Sequence, residues 1–300
     1  MRILCLGSLN MDYIYQVSHI VQPGETLTSE KLDVLSGGKG LNQAIAMGRT
    51  GMNVCLAGRI GADGQWLLDG LETYGVDASR VQTVDVSTGK AMIQVAADGQ
   101  NCILLYPGAN RQMTEAFIDG VLDEFGEGDM LVLQNEVNLL DYMIDRAYEK
   151  KMRIILNPSP FDAHIEKCAL EKVSYFFVNE TEGQQMTGES APEAILDTMA
   201  ERYPESGVIL TLGGDGSWYS DRNCRVFQDI VKTEVVDTTG AGDTFSGYFI
   251  QGIASGRDIK ETMETAALAA SITVSRVGAA HAIPSMDEVA AMRKKKGFEK

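Results

Sequence analysis

Short apolar runs alternate with segments of helical spacing along most of the chain. Residues 2–7 (RILCLG) read as a buried strand, and 41–51 (LNQAIAMGRTG) as a helix ending at glycine. The run 53–58 (NVCLAG) is again strand-like, and 64–75 (GQWLLDGLETYG) has helical spacing. Further apolar runs lie at 129–134 (DMLVLQ), 152–157 (MRIILN), 174–179 (SYFFVN) and 207–213 (GVILTLG), with helical segments between them. Strands apolar on both faces and separated by helices belong to a sheet covered on both sides. The pattern therefore predicts an α/β fold, three-layered and doubly wound, around a mostly parallel sheet.

Two regions break the alternation. Residues 88–110 hold two strand-like arms around Asp98-Gly99, a two-residue hairpin signal. Residues 12–17 (DYIYQV) and 30–38 (EKLDVLSGG) are also strand-like, joined by a polar loop with Pro23 and Gly24. These four arms lie too close in sequence for helical crossovers. They are expected to form a small separate antiparallel β-sheet, a lid of residues 12–36 and 88–106. The α/β core would then hold residues 1–11, 37–87 and 107–300. Extra strands on the edge of the main sheet are the alternative.

Composition narrows the function classes. Of 300 residues, 44% are hydrophobic and 23% charged, which suits a globular chain with a sizeable core. The formal net charge of −16 argues against nucleic acid as a partner, since phosphate backbones demand a basic surface. No signal peptide and no membrane span are expected. The basic end, Arg293 to Lys300, reads as a frayed, solvated tail. Five scattered cysteines without a CxxC pair, and three separated histidines, disfavour a zinc site. Cys5, Cys55 and Cys102 sit in apolar runs and are expected to be buried thiols, in a cytoplasmic protein.

Ligands of open parallel sheets bind beyond the carboxyl ends of the strands. The strand exits here carry Asn10 and Asp12, Gln134 and Glu136, Asn157, Asn179 and Thr211. This succession of acid and amide groups suits a cleft that grips hydroxyls. The stretch VDTTGAGDTF (236–245) follows strand-like 233–236 and opens a helical segment, 243–256. Gly240, Ala241 and Gly242 thus stand at a helix N-terminus, where unpaired amides and the helix dipole favour an anion. Asp243 in that turn can cap the helix, or it can take the proton of a hydroxyl attacking phosphorus. SGGKGLNQA (36–44), with Lys39 and Asn42, is a second glycine-rich helix entry, read alone as a tight turn with an exposed lysine. There is no GxxxxGK[ST] loop, and the first strand runs into GSLNMD rather than GxGxxG. Both absences disfavour a P-loop enzyme or a nicotinamide oxidoreductase.

In order along the chain, GSLNMD, GGKGLNQA, LQNEV, NETE, TLGGDG and DTTGAGDTF resemble the motifs of the ribokinase or PfkB family of carbohydrate kinases, closest to its ribose-phosphorylating branch. The resemblance implies a β-sheet lid on an α/β core and transfer of the ATP γ-phosphate to a sugar hydroxyl. Carried over by position, Asp243 is the base, and Gly240, Ala241 and Gly242 form the anion hole. Asn10, Asp12, Gly38, Lys39, Asn42 and Glu136 contact the sugar, while Asn179, Thr211, Gly213 and Gly216 lie along the nucleotide. Glu182 resembles the glutamate that organises Mg2+ and its waters. Asp237 resembles the side-chain ligand of a monovalent cation site for K+, with carbonyls near Thr239, Thr273, Arg276 and Gly278.

Two positions depart from the family pattern. Ala282 stands where a serine is common at the cation site, and Ala267 near a position that often places a polar group against the adenine. The resemblance also implies a homodimer joined through the lids. D-ribose is the expected acceptor, with 2-deoxyribose, fructose or a nucleoside as alternatives. A sugar-binding regulator without catalysis is the rival from outside the enzymes.

Overall fold

The computed structural model describes residues 1–297. It begins with β1 (Ile3–Leu6), β2 (Asn10–Val17), β3 (Lys31–Gly37), α1 (Lys39–Gly48), β4 (Val54–Gly61), β5 (Val76–Val84), β6 (Gly89–Ala96) and β7 (Asn101–Tyr106). There follow α2 (Glu115–Leu122), β8 (Met130–Gln134), α3 (Leu140–Glu149), β9 (Arg153–Asn157), β10 (Tyr175–Asn179), α4 (Glu180–Thr187), α5 (Pro192–Arg202) and β11 (Gly207–Thr211). The last elements are β12 (Ser217–Ser220), β13 (Arg225–Gln228), α6 (Ala241–Ala254), α7 (Ile259–Thr273) and α8 (Met286–Lys296).

Nine strands form one sheet in the order β13-β12-β11-β10-β9-β8-β1-β4-β5. All its pairings are parallel except those of β11 with β12 and β12 with β13. One apolar cluster packs α1, α6, α7 and α8 on one face, and a second packs α2 to α5 on the other. Burial of β1, β8 and the interior of β9 to β11 explains why these strands read as continuous apolar runs.

The four early arms form a separate sheet, in the order β3-β2-β6-β7. Its outer pairings are antiparallel, and the central pairing of β2 with β6 is parallel. The chain returns through the main sheet between those two strands, so they enter the small sheet in the same direction. The hairpin closes differently from the two-residue expectation. Gly99 N–H donates to the Ala96 carbonyl and Ala96 N–H to that of Gln100, closing a loop over 97–99 with Gly99 at φ 85°.

Other local expectations are corrected. Residues 64–75 are not one α-helix but two 3-10 segments, Ala62–Leu68 and Leu71–Tyr74, separated where Asp69 is extended and Gly70 left-handed. Residues 233–236 form no strand; Val235 and Val236 are exposed, and Val236 N–H is held by the Val274 carbonyl. Cys102 lies on β7, exposed throughout, so it is not a buried thiol; Cys55 is partly buried and Cys5 fully. The basic end is helical through Lys296, because a capping box of Ser285 and Glu288 starts α8 and Gly297 caps it. The rest of the proposed tail, 298–300, lies outside the described residues. Among the described residues, no helix is long and apolar enough to cross a membrane.

Candidate active site

Close helix packing brings the site together. A Cβ on Gly247 would fall 2.4 Å from the Ala46 side chain, and one on Gly252 would fall 2.4 Å from Thr262. Glycine at these points lets α6 approach α1 and α7 at backbone distance. Gly247 is four residues after Asp243, on the same side of α6. The close face therefore presents Asp243 to α1. There Asn42 Nδ2 donates to Asp243 Oδ2 at 3.1 Å, and Gln43 Nε2 donates to Oδ1 at 3.0 Å.

Asp243 is 8% exposed, too buried to be a solvated helix cap. Burial raises its pKa, against the lowering effects of the Lys39 charge and the two amide bonds, and the net shift is upward. Lys39 is partly buried rather than exposed. Burial disfavours its ammonium, yet the charges of Asp243, Glu136 and Glu182 outweigh that and raise its pKa.

A polar cavity of about 240 Å³ is lined by Lys39, Asn157, Asn179, Glu182, Gly240 and Asp243, among others. It adjoins a larger cleft of about 650 Å³, and Thr211, Thr238 and Gly242 line both. The amides of Gly240, Gly242 and Asp243 have no hydrogen-bond partner among the described residues. Ala241 N–H instead reaches the Thr238 carbonyl at 3.3 Å. Gly240 needs its glycine for φ 75°, and a Cβ there would press on Ala279 at 3.0 Å. A Cβ on Gly242 would meet nothing within 4 Å. The turn thus offers open N–H groups and empty space beside a carboxylate, a cradle for an anion.

The larger cleft carries Gly213 and Gly216 on one side and Phe245, Ala267 and Val274 on the other. Residues 228–233 and Val235 complete its wall, and nothing in the sequence marked them. Asn179 and Glu182 form the capping box of α4: Asn179 Oδ1 accepts from Glu182 N–H, and Glu182 Oε2 accepts from Asn179 N–H. Glu182 Oε1 has no protein partner among the described residues.

The small sheet supplies a second polar group. Asp12 lies on β2 over Gly37, where a Cβ would fall 2.0 Å from its Oδ2. Its carboxylate has no hydrogen-bond partner among the described residues. Burial first, then the charges of Glu136 and Asp243, push its pKa up to about 7. Asn10 Oδ1 accepts from Asn110 Nδ2 at 2.7 Å, which leaves the Asn10 amide donors for a ligand. Asn42 Oδ1 is likewise buried and unpartnered. Glu136 accepts from the Ser8 hydroxyl and from Lys39 N–H, next to Gly38 at φ 94°. Buried acceptors and donors left open here are complementary to sugar hydroxyls.

One of the expected strand-exit residues does not face the cleft: Gln134 is fully buried beneath α1. Its neighbour Asn135 turns to the Pro160 carbonyl and Asp162. Asn110 joins the site through side-chain bonds that no motif announced, and Ser8 and Gln43, though inside GSLNMD and GGKGLNQA, were given no role.

Asp237 stands at the far side of the turn. Its Oδ1 accepts from Thr239 N–H and Oγ1, and Oδ2 accepts from Gly278 N–H at 2.8 Å. Burial raises its pKa, but these bonds outweigh it and hold the carboxyl below its usual value. The Thr273 carbonyl already accepts from Arg276 N–H, and Arg276 reaches the Ala282 carbonyl and Glu288. The carbonyls of Thr239, Arg276 and Gly278 accept no backbone bond among the described residues.

The chain matches the pfkB family carbohydrate kinase model over residues 1–286. It is 34% identical to the ribokinase of Schizosaccharomyces pombe over 307 residues, covering 96% of each chain. Its structure is similar to the crystal structure of ribokinase from Cryptococcus neoformans var. grubii serotype A in complex with ADP. That match has a TM-score of 0.86 and 34% identity, over 97% of this chain and 99% of that one. It is also similar to Arabidopsis thaliana ribokinase complexed with ribose and ATP, with a TM-score of 0.84 and 27% identity over 98% of each chain.

Proposed function

The chain belongs to the pfkB family of carbohydrate kinases, and within it we propose that it transfers the γ-phosphate of ATP to the primary 5-hydroxyl of D-ribose. The observation that carries this reading is the placement of Asp243. An amide-clamped carboxylate faces a polar cavity whose wall is the open N-terminus of α6, and that cavity adjoins a cleft large enough for a nucleoside. Similarity to ribokinases, one bound to ADP and another to ribose and ATP, supports both substrates.

In this mechanism ribose rests on Asn10, Asp12, Asn42, Lys39 and Glu136, whose open groups bracket its secondary hydroxyls. ATP lies along Asn179, Thr211, Gly213 and Gly216, with its terminal phosphate at Gly240 and Gly242. Asp243 accepts the proton of the 5-hydroxyl as that oxygen attacks the γ-phosphorus and the bond to the β-phosphate oxygen breaks. Its upward-shifted pKa makes it a stronger base than an exposed carboxylate. Unpaired amides at the α6 N-terminus hold the charge of the transferring group, and positioning supplies much of the remaining acceleration. The small sheet acts as a lid that excludes water.

Two ions are tested against these residues. Glu182, whose Oε1 has no protein partner among the described residues, would hold the water shell of Mg2+, an ion that keeps several waters and binds phosphate oxygens. Mg2+ would neutralise phosphate charge. For K+, Asp237 and the free carbonyls of Thr239, Arg276 and Gly278 form a compatible oxygen set, although Asp237 already serves three donors. The outward face of the lid, described below, joins two copies in a homodimer. A cytoplasmic location is part of this reading, and the chain's unpaired cysteines suit a reducing compartment.

The deciding experiment is a coupled assay of ADP release with D-ribose, 2-deoxyribose, fructose and adenosine, in K+ and in Na+. The highest kcat/KM is expected with D-ribose in K+. No stimulation by D-ribose, or a higher value with another acceptor, overturns the substrate assignment.

A further inference from the structure

Gln134 closes β8 without touching the cavity, yet it is joined to Asp243 by an unbroken chain of buried bonds. Gln134 Nε2 donates to Gln43 Oε1 at 2.8 Å, and Gln43 Nε2 donates to Asp243 Oδ1 at 3.0 Å. On its other side, Gln134 Nε2 lies 3.7 Å from Cys5 Sγ, and the Cys5 thiol donates to the Gly40 carbonyl at 3.3 Å. Cys5 and Gln134 are fully buried, and Gln43 is 1% exposed. Burial pushes the Cys5 thiol up to about 12, so it stays protonated and supplies no charge.

The direction of this chain is determined by its end. An ionised carboxylate only accepts, so Gln43 must present its NH2 group to Asp243 and its carbonyl to the interior. That carbonyl needs a donor, and Gln134 supplies one by turning its own NH2 group toward Gln43. The consequence is visible at the other end of the amide: Gln134 Oε1 is buried with no partner. A Cβ on Gly7 would fall 2.1 Å from that oxygen, so glycine at position 7 makes room for it. Leaving a buried acceptor unsatisfied is destabilising, and a residue kept only for stability would not be placed so.

We propose that Gln134 is a positioning residue for phosphoryl transfer, acting through Gln43 to orient the Asp243 carboxylate toward the acceptor hydroxyl. This rests on the reading of Asp243 as the base. The ionisable groups facing Asp243 are Lys39 on α1, Cys5 on β1 and Asp12 on β2. None of them is bonded to Gln134 except the neutral Cys5 thiol.

The test is Gln134→Met, which keeps length and removes the donor, assayed over D-ribose and ATP concentrations that run up to saturation. A fall in kcat of about tenfold is expected, with both KM values within about twofold of the parent. A weakened Gln43 bond stabilises the Asp243 anion less, so the acid limb of the kcat–pH profile moves to higher pH. Thermal unfolding should stay near the parent temperature, since the orphaned Gln134 oxygen is gone while the buried Gln43 carbonyl loses its donor. In a Gln43→Met background, Gln134→Met should have no further effect, because the path is already cut. Gln43→Met alone must reproduce the kcat loss and the pH shift, which keeps the test open should Gln134→Met fold poorly. A parental kcat in Gln134→Met, multiplied losses in the double variant, or activity that merely follows a lowered unfolding temperature each overturns the proposal. Asp243→Asn is assayed in parallel: turnover retained there defeats the base assignment, whereas an inactive Asp243→Asn beside a normal Gln134→Met defeats the positioning role alone.

Discussion

Asp243 lies 201 positions from Asn42 along the chain and 3.1 Å from it in space, with Asn42 Nδ2–H donating to Oδ2. The bond holds one carboxylate oxygen while Gln43 holds the other. Asp243→Asn keeps the shape and removes the base. Its kcat should fall about 10³-fold with little change in the KM for the sugar, as steady-state kinetics will read. In the parent enzyme the base must be ionised, and burial has raised its pKa. Activity should therefore decline on the acid side at a pH above the range of exposed aspartates.

Two glycines of the same turn should respond in opposite ways to alanine. Gly240 has φ 75° and Ala279 3.0 Å from a Cβ, so Gly240→Ala strains the backbone and should lower stability by about 1–2 kcal/mol. Gly242 faces open space inside α6, so Gly242→Ala should fold as well as the parent or better by about 0.5 kcal/mol. Its methyl group, however, enters the space shared by the two cavities. A kcat loss of about tenfold or more is expected there with unfolding unimpaired. Denaturant titration and turnover, measured on both variants, separate the two effects.

Asp12 couples stability to pH. Its pKa is about 7 in the folded chain, against 3.8 for an unperturbed aspartate. Between those values the folded state holds a proton that the unfolded state has released. Stability is therefore lost as pH rises through that window, and the loss is complete above it. Asp12→Asn removes the penalty and should raise stability by about 2 kcal/mol at pH 8, with a gain that vanishes near pH 4. The same change deletes an acceptor, so the KM for ribose should rise about tenfold or more. Equal unfolding temperatures of parent and variant at pH 8 would contradict this account.

The small sheet carries an apolar row across all four strands. Val34, Tyr13, Met92 and Leu104 are cross-strand neighbours, and Val34, Met92 and Leu104 are exposed. Such a face is unfavourable in water and suits a second copy of itself. Light scattering at micromolar concentration should give twice the 32.6 kDa chain mass. Leu104→Lys should halve it, since a charge placed in the row must be desolvated on association.

The parallel core, the four early strands and the helix after Gly242 were legible because each is written in local periodicity or in a turn residue. The turn that brings Asp243 to the α6 N-terminus was legible as well, from the glycines around it. What escaped depends on contacts between distant segments. Gln43 looks like any polar position on an amphipathic helix until α6 lies beside it. Gln134 was read into the cleft because a strand end does not reveal which way its last side chain turns. Residues 229–233 carry no turn or motif signal, 233–236 read as a strand they do not form, and the segment becomes a cleft wall only through tertiary packing. The 3-10 break at Gly70 shows the reverse error, in which apolar spacing suggested a helix and one left-handed residue interrupted it.

Asn10 and Asp12 open β2, and the partly buried Tyr13 follows them on the same strand, in register with the apolar row. Gly37 closes β3, and one residue separates it from Lys39, which opens α1. If the proposed sugar contacts and lid pairing hold, acceptor choice and self-association share one continuous ribbon, and selection acting on either is felt by the other. Transplanting this ribbon between relatives is then expected to carry the sugar preference and the pairing partner across together.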